Sequence, residues 1–185
     1  MGWITPAIVT ALSLAPVGQI SPWDAKILGL SIPSQEATAS NGVIVVIQYV
    51  EAARRIEYYS PDIETPIGTI YISRQDINTV DGELRISGVS TYRRPWRLYD
   101  RAVFDDGTSA GYIDGPNEVG GDCQSPAGCI ANEYFSVSIT PSEIAQHARA
   151  GHLNFELKSS RSQDVARFTV PVSYFDAITE LAERD

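Results

Sequence analysis

The chain has 185 residues, of which 43% are hydrophobic, 20% charged and 9% aromatic. This length and composition are typical of one globular domain with a substantial core, and they exclude a disordered chain, a coiled coil and a collagen-like repeat. Asp and Glu outnumber Lys and Arg by 23 to 14, which gives a net charge of −9. Because a field of that sign repels phosphate backbones, we expect no nucleic-acid partner.

The N-terminal segment is unusual because its first 23 residues carry no charged side chain. Ile4–Ala15 is mostly apolar, as in the central region of a secretory signal, but Pro6 interrupts it and no basic residue precedes it. The stretch is too short to cross a bilayer, so no integral membrane span is predicted. Residues 1–22 are therefore an apolar arm packed on the domain, or a signal whose basic start is missing. Residues 23–185 are interpreted as a single domain.

Strand-like patterns dominate the middle of the chain. Val43–Val50 is β-branched and almost continuously apolar, which is typical of a strand buried on both faces. Ile67–Ser73 and Glu83–Val89 have strand composition, and we expect another strand over Trp96–Phe104. The following stretch, 105–132, is rich in Gly and acidic residues without an apolar period, so it predicts a long loop.

The last third has the clearest pattern. Tyr134–Ile139 and Leu153–Lys158 alternate apolar with polar side chains, and Val165–Val170 is a further predicted strand. Thr140–Glu143 supplies an N-cap, a proline at the first helical position and a capping-box glutamate, so a helix is predicted that runs to about Ala150 and is stopped by Gly151.

A second short helix is predicted from Ser173, with Phe175, Ile178 and Leu181 on one face. Antiparallel strands with few helices define the predicted fold class, which is mainly β (α+β). We expect an antiparallel β-sandwich with one short helix between strands and a short helix at the C-terminal end.

The only two cysteines are Cys123 and Cys129, and Pro126 and Gly128 between them let the backbone turn back. A disulfide bond is predicted, which favours an oxidising compartment. Two free thiols or half of a metal site are the alternatives. A four-ligand zinc site usually needs a second cysteine pair, and the sequence has none, so neither metal nor cofactor is predicted.

Several stretches in order resemble small uncharacterised exported proteins of bacteria. They are Pro95–Ala102, the cysteine pair, the strand–helix unit Ser138–Gly151 and the ending Val170–Phe175. Those proteins look like β-sandwiches with one short helix between strands, and the group has no established activity. The resemblance therefore implies a fold and an extracytoplasmic location, in the periplasm or cell envelope, and implies no chemistry.

The most distinctive charge pattern is Tyr92–Arg101, where four Arg and one Asp give +3 in a chain of −9. On a strand, Arg97, Tyr99 and Arg101 would project from one face, opposite Trp96 and Leu98. Such a row would suit an anionic ligand, a glycan or a partner protein, because guanidinium groups pair bidentately and stack on rings. The interpretation that the sequence favours over binding is that this segment and the acidic residues of 102–133 neutralise each other across neighbouring strands. The predicted binding residues are Arg94, Trp96, Arg97, Tyr99 and Arg101.

Catalytic patterns are scarce in the sequence. His147 and His152 do not share a helical face, and we expect His147 on the helix surface and His152 in a turn. No nucleophile elbow, phosphate loop or dinucleotide fingerprint occurs. Paired carboxylates are available in the acidic stretch, and two of them across a cleft would suit glycoside hydrolysis. The carboxylates considered are Asp105, Asp106, Asp114, Glu118 and Asp122.

The sequence thus favours a non-catalytic exported bacterial domain that binds a ligand or a protein, or takes part in an envelope assembly. One alternative is a hydrolase that uses carboxylates of the 105–133 stretch. The other is a structural subunit that assembles through its N-terminal arm. Neither the identity of the partner nor the oligomeric state follows from the sequence.

Overall fold

The computed structural model describes residues 34–50, 54–77, 82–93, 95–120, 123 and 128–184. The N-terminal segment 1–22, for which the sequence leaves two interpretations, lies outside the described residues. The described residues form these strands and helices: β1 (Ser34–Thr38), β2 (Ile44–Val50), β3 (Arg55–Tyr59), β4 (Ile63–Thr65), β5 (Gly68–Ile77), β6 (Leu84–Arg93), β7 (Arg101–Phe104), β8 (Ser109–Gly120), β9 (Ile130–Ile139), α1 (Pro141–His147), β10 (His152–Lys158), β11 (Val165–Pro171) and α2 (Val172–Ala182).

The strands form one antiparallel hydrogen-bonded path in the order β1-β2-β3-β5-β6-β9-β8-β7-β10-β11, with β4 paired to β5. Strand β8 belongs to both halves of this path. Its first residues pair with β7, as Ala110 does with Ala102, and its residues 111–120 run beside β9. We call β1, β2, β3, β5, β6, β9 and β8 the first layer, and β7, β10 and β11 the second layer.

The two layers face each other across a phenylalanine cluster. Phe135 on β9 meets Phe155 on β10 and Phe168 on β11, at ring-centroid distances of 6.3 and 5.1 Å. The alternating pattern of β9 and β10 places these rings inward, so the predicted strand periodicity is confirmed there. The predicted fold class is also confirmed, with the addition that a single sheet folds over on itself to make both layers.

Helix α2 closes the core between the last strand and the first layer. It packs against β2, β3, β5 and β11 and buries the predicted apolar face of Phe175, Ile178 and Leu181. The turn between β1 and β2 holds the helix from outside, because the backbone N–H of Ser40 donates to Oε1 of Glu180 at 3.0 Å.

Helix α1 begins as predicted and ends earlier. The Thr140 hydroxyl accepts a hydrogen bond from the backbone N–H of Glu143 (3.2 Å), and the Glu143 carboxylate accepts one from that of Thr140 (2.7 Å). The last helical residue is His147, three positions before the expected end. The reason is a tight turn in which the backbones of Arg149 and His152 exchange hydrogen bonds of 2.8 and 3.0 Å, so these residues leave the helical path.

The sequence predicted one long loop over the acidic stretch 105–132, and this prediction is wrong. Strand β8 occupies Ser109–Gly120. Its pairing with β9 shifts register between Asp114 and Asn117, so Gly115 and Pro116 form an irregularity. Proline is tolerated there because a bulge does not need its missing N–H. After the shift, odd-numbered residues of β8 lie opposite the odd-numbered residues of β9, whereas even-numbered ones do so before it, and this change hides the strand period in the sequence.

Candidate binding site around Arg97

A buried carboxylate organises the segment 95–100, which crosses the end of the sheet. Glu133 points inward from β9 and is 4% exposed. Its Oε1 accepts hydrogen bonds from the backbone N–H groups of Arg97 (3.1 Å) and Leu98 (2.7 Å), and its Oε2 accepts one from that of Tyr99 (3.1 Å). The Tyr92 hydroxyl donates a further hydrogen bond to Oε1. Four donors thus compensate for the removal of this carboxylate from water.

The backbone of this segment is strained at Leu98, which has a φ of +55°. A residue with a Cβ atom loses about 1–2 kcal/mol of conformational free energy when its backbone is in this left-handed region, so glycine is the usual residue there. Three successive N–H groups aimed at Glu133 offset that cost and form an anion-binding nest filled by the protein's own carboxylate. For this reason the predicted strand Trp96–Phe104 is wrong in its first half, and only β7 is a strand.

Arg97 is held in place by two tyrosines. Its guanidinium carbon lies 4.2 Å from the centre of the Tyr92 ring, and its Nη1 donates to the Tyr99 hydroxyl at 3.1 Å. Its Nε lies 3.7 Å from Oδ1 of Asp164, and 27% of the side chain is exposed. Burial, together with the hydrogen bond to Glu133, raises the pKa of Tyr92, so its hydroxyl keeps the proton that it donates. The remaining Arg97 N–H groups are available for a ligand.

The other predicted binding residues do not form the expected one-sided row. Tyr99 is buried in the core, and Trp96 is half-buried against the same core. Arg101 is exposed at the start of β7, with its Nη1 3.8 Å from Oδ1 of Asp100. Arg94 lies outside the described residues. The row fails because residues 96–100 are not a strand, so side chains two positions apart do not share a face.

Two further cations accompany Arg101, and the sequence analysis missed both. Lys158 lies opposite Arg101 in the pairing of β10 with β7. The pKa of Asp100 is lowered by the hydroxyl and then the N–H of Ser160, and the charges of Arg101 and Arg161 lower it further. We call Arg97, Arg101, Lys158 and Arg161 the Arg97 corner. About 60 residues separate its two halves in the chain, so no local pattern connects them.

The charge partners of this corner differ from those expected. The sequence suggested neutralisation by the acidic residues of 102–133, but Arg97 and Arg101 pair with Asp164 and Asp100. Among the described acidic residues of that stretch, Glu133 is the one that hydrogen-bonds residues 97–99, and it does so through their backbone. The partly exposed guanidinium groups are therefore balanced by carboxylates close to them on the surface.

The remaining described carboxylates of the acidic stretch have separate polar contacts, and they lie along a turn and a strand. Asp122 is outside the described residues. This placement gives the hydrolase alternative no support. The contacts are Asp105 with Asn154 (3.0 Å), Asp106 with His147 (3.0 Å), Asp114 with Tyr112 (3.5 Å) and Glu118 with Tyr134 (3.3 Å).

His147 is buried, whereas the sequence placed it on the helix surface. Its ring stacks on Phe104 at a centroid distance of 4.1 Å and an angle of 9°, and its Nδ1 lies 3.0 Å from Oδ2 of Asp106. The apolar stack explains the burial, and the polar contact ties the end of α1 to the turn between β7 and β8. His152, as expected, is exposed beside a turn, and its Nδ1 lies 3.0 Å from the Ala150 carbonyl oxygen.

The predicted disulfide bond between Cys123 and Cys129 is confirmed. It closes the connection between β8 and β9, whose paired ends are Gly120 and Ile130. Within the described ranges, no group of three or more His, Cys, Asp or Glu side chains is arranged to hold a metal ion. In the same part of the chain, neither helix is long and apolar enough to cross a membrane.

Comparison of the chain with protein-family models, with curated proteins and with solved structures finds no match.

Proposed function

We propose that this chain is a non-catalytic, exported bacterial domain of the periplasm or cell envelope that binds an anionic ligand at the Arg97 corner. The observation that supports this function is the fixed guanidinium of Arg97, stacked on Tyr92 and hydrogen-bonded to Tyr99 with part of its surface exposed. A guanidinium group pairs bidentately with planar anionic groups such as carboxylates. The ligand class proposed here is a carboxylate-bearing glycan or protein segment.

Rigidity is the main argument for binding at this position. A long side chain normally loses rotamer freedom when it grips a ligand, and this loss weakens binding. The guanidinium of Arg97 is already positioned by the two tyrosines, and its backbone is fixed by Glu133. The strain at Leu98 is consistent with this role, because residues other than glycine whose backbone is in the left-handed region cluster at ligand-binding sites.

The charges around the site favour a discrete anionic group over a polyanion. Three of the four cations of the Arg97 corner, Arg97, Arg101 and Lys158, pair with the carboxylates of Asp164, Asp100 and Glu156, so the local excess of positive charge is small. The whole chain carries −9 and repels distant negative charge. Binding would then depend on direct pairing at Arg97 and only weakly on salt concentration.

Export is proposed from the disulfide bond together with the resemblance to exported bacterial proteins. Disulfide bonds persist in oxidising compartments and are uncommon in the cytosol. Intact mass measurement of the protein from its native host tests this part. A two-dalton loss supports export, and two free thiols with Met1 retained contradict it.

The binding function is tested with two ligands that each carry one carboxylate, galacturonate and a capped peptide with a single glutamate, which represent a glycan and a protein segment. We expect one of them to bind the protein, and we expect Arg97→Gln to weaken that binding at least tenfold. The matched control is Arg85→Gln on β6, which removes another partly exposed arginine whose guanidinium lies 3.5 Å from the carboxylate of Glu83. Absence of binding to both ligands, or equal losses for the two variants, contradicts the proposal.

A further inference from the structure

A patch on the outer face of the first layer is buried although it points away from the core. On β2, Val45 and Ile47 belong to the main core, whereas Val46 between them belongs to a separate cluster with Tyr59 and Tyr71. The pairing of strands extends this patch across β2, β3 and β5. We call it the outer patch, and its members, none more than 6% exposed, are Val46, Gln48, Glu57, Tyr59, Tyr71 and Ser73.

Polar atoms at one side of the outer patch lack hydrogen-bond partners. Tyr59 donates its hydroxyl hydrogen to Glu57, and Oε1 of Glu57 lies 2.5 Å from Nη2 of Arg55. Nε2 of Gln75 and Nε of Arg55 are buried without a hydrogen bond. Both atoms are donors, and a backbone carbonyl of an extended segment lying over the patch would be a suitable acceptor.

The burial of the outer patch does not come from the main core. Helix α2 and the second layer contribute their apolar side chains to the main core, on the opposite face of the first layer. The internal segments outside the description are short connections such as 51–53 and 78–81, each joining neighbouring strands. Residues 1–33 are the one long segment of the chain that the structure does not describe.

We infer that part of the segment 1–33 docks on the outer patch of its own chain. The segment leads directly into β1 at the edge of the first layer, and its first 23 residues carry no charge. From β1 to β5 is three strand spacings, roughly 14 Å, which a few extended residues can cross. Covalent attachment gives an effective concentration in the millimolar range, which favours docking within one chain.

This inference goes beyond the proposed function, because it rests on a different face of the molecule and does not involve Arg97. It also distinguishes the two interpretations of the N-terminal segment, since a docked segment is an arm of the folded domain. It also opposes the structural alternative, in which the segment joins two subunits, because here the segment covers the sheet of its own chain.

Tryptophan fluorescence of the full chain tests the inference. The three tryptophans are Trp3, Trp23 and Trp96, so a Trp96→Phe parent reports on the N-terminal segment alone. We expect acrylamide to quench this parent at least threefold less in its native state than in concentrated urea. Ser73→Arg places a long charged side chain in the outer patch and is expected to abolish most of that protection. Thr91→Arg is the control, because Thr91 is exposed on β6 outside the patch.

Sedimentation velocity of the same proteins identifies the chain that supplies the segment. Protected tryptophans in a monomer support docking on the same chain. Protected tryptophans in a dimer, lost on dilution, overturn the inference because a neighbouring copy then supplies the segment. Equal quenching in the native state and in urea also overturns it, and so does equal loss of protection in Ser73→Arg and Thr91→Arg. If Ser73→Arg does not fold, Gln75→Arg at the side of the patch replaces it.

Discussion

Tyr92 and Glu133 form a diagonal pair between β6 and β9, because Tyr92 lies opposite Ala131 and Glu133 lies opposite Ser90. The hydroxyl of Tyr92 donates to the buried carboxylate, and the same hydroxyl accepts a hydrogen bond from the backbone N–H of Arg97 at 2.8 Å. The Tyr92 hydroxyl therefore links the pair of strands β6 and β9 to the strained segment 97–99 beside them. If Glu133 is the anchor of this arrangement, its loss affects both stability and the order of residues 97–99.

Glu133→Gln is expected to lower the free energy of unfolding by about 3 kcal/mol. The amide has one acceptor oxygen, so at least one N–H of residues 97–99 loses its buried partner, and hydrogen bonds to a charged group are stronger than neutral ones. Tyr92→Phe removes one donor to Glu133 and one of the two acceptors of the Arg97 N–H, which keeps Glu133, so it is expected to cost about 1.5 kcal/mol. Urea unfolding measures both values, and amide hydrogen exchange of Leu98 and Tyr99 should become faster in Glu133→Gln.

The control for this prediction is Glu118→Gln on β8, an exposed carboxylate with a tyrosine hydroxyl at 3.3 Å. Surface substitutions of this kind usually change stability by no more than about 0.5 kcal/mol. Equal unfolding midpoints for Glu118→Gln and Glu133→Gln would show that the buried carboxylate is not an anchor.

Gly68 and Gly107 both have positive φ, and alanine is expected to affect them very differently. Gly68 has a φ of +146°, and a Cβ there would overlap the carbonyl oxygen of Val89 on the neighbouring strand. Gly107 has a φ of +85°, and no atom lies within 4 Å of the position of its Cβ. Gly107→Ala should therefore cost only the conformational strain, about 1–2 kcal/mol.

Gly68→Ala should cost about 3 kcal/mol or more, because β5 and β6 must also move apart. Thermal and urea unfolding of the two variants measure the difference. A cost at Gly68 no greater than at Gly107 would contradict the close approach of β5 to β6.

Elements with a strong local period could be predicted from the sequence, and β8 could not. Strand β9 and helix α1 carry their signals in adjacent residues, as alternation and as a capping box. In β8, Tyr112 and Asp114 precede the register shift and lie opposite Val137 and Phe135, whereas Val119 follows it and lies opposite Ala131, so the positions on that side of the sheet change parity within one strand. A pattern search with a single period of two cannot find such a strand.

The candidate site, too, could be predicted only in part from the sequence. The arginine-rich segment drew attention to Arg97 from composition alone. Its anchor Glu133 lies 36 residues away and was grouped with the acidic loop. Arg161 reaches the corner only because β10 pairs with β7, a relationship that depends on the folded sheet. Pairings of this kind carry no local sequence signal, so the site's composition could not be derived before its topology.

The disulfide bond between Cys123 and Cys129 should contribute about 2 kcal/mol, as expected from the entropy of closing a loop with a sequence separation of 6. Replacing both cysteines by serine should lower the urea midpoint by the corresponding amount and speed amide exchange near Gly120 and Ile130, which end the paired strands. Treatment of the parent with a reductant should give the same shift, and the double variant should not respond. An unchanged midpoint after complete reduction would contradict this contribution.

Asp106 should make the stability of the protein depend on pH in the acidic range. The backbone N–H of Thr108 lowers the pKa of Asp106, and the Thr108 hydroxyl and His147 lower it further. A carboxyl group whose pKa is lower in the folded state stabilises the fold at pH values above its unfolded pKa of about 4. That contribution is lost as the pH falls through the folded pKa.

The stability difference between the parent and Asp106→Asn should therefore be largest near neutral pH and should disappear in strong acid, where both proteins lack the charge. Urea unfolding between pH 2 and pH 7 measures this difference, and NMR titration of the Asp106 carboxyl carbon gives the pKa directly. Thr108→Val keeps the backbone N–H and removes the hydroxyl. It should therefore raise the pKa of Asp106 only part of the way back to its ordinary value. A difference that stays constant with pH, or an Asp106 pKa at its ordinary value, would mean that the turn does not stabilise the charged form.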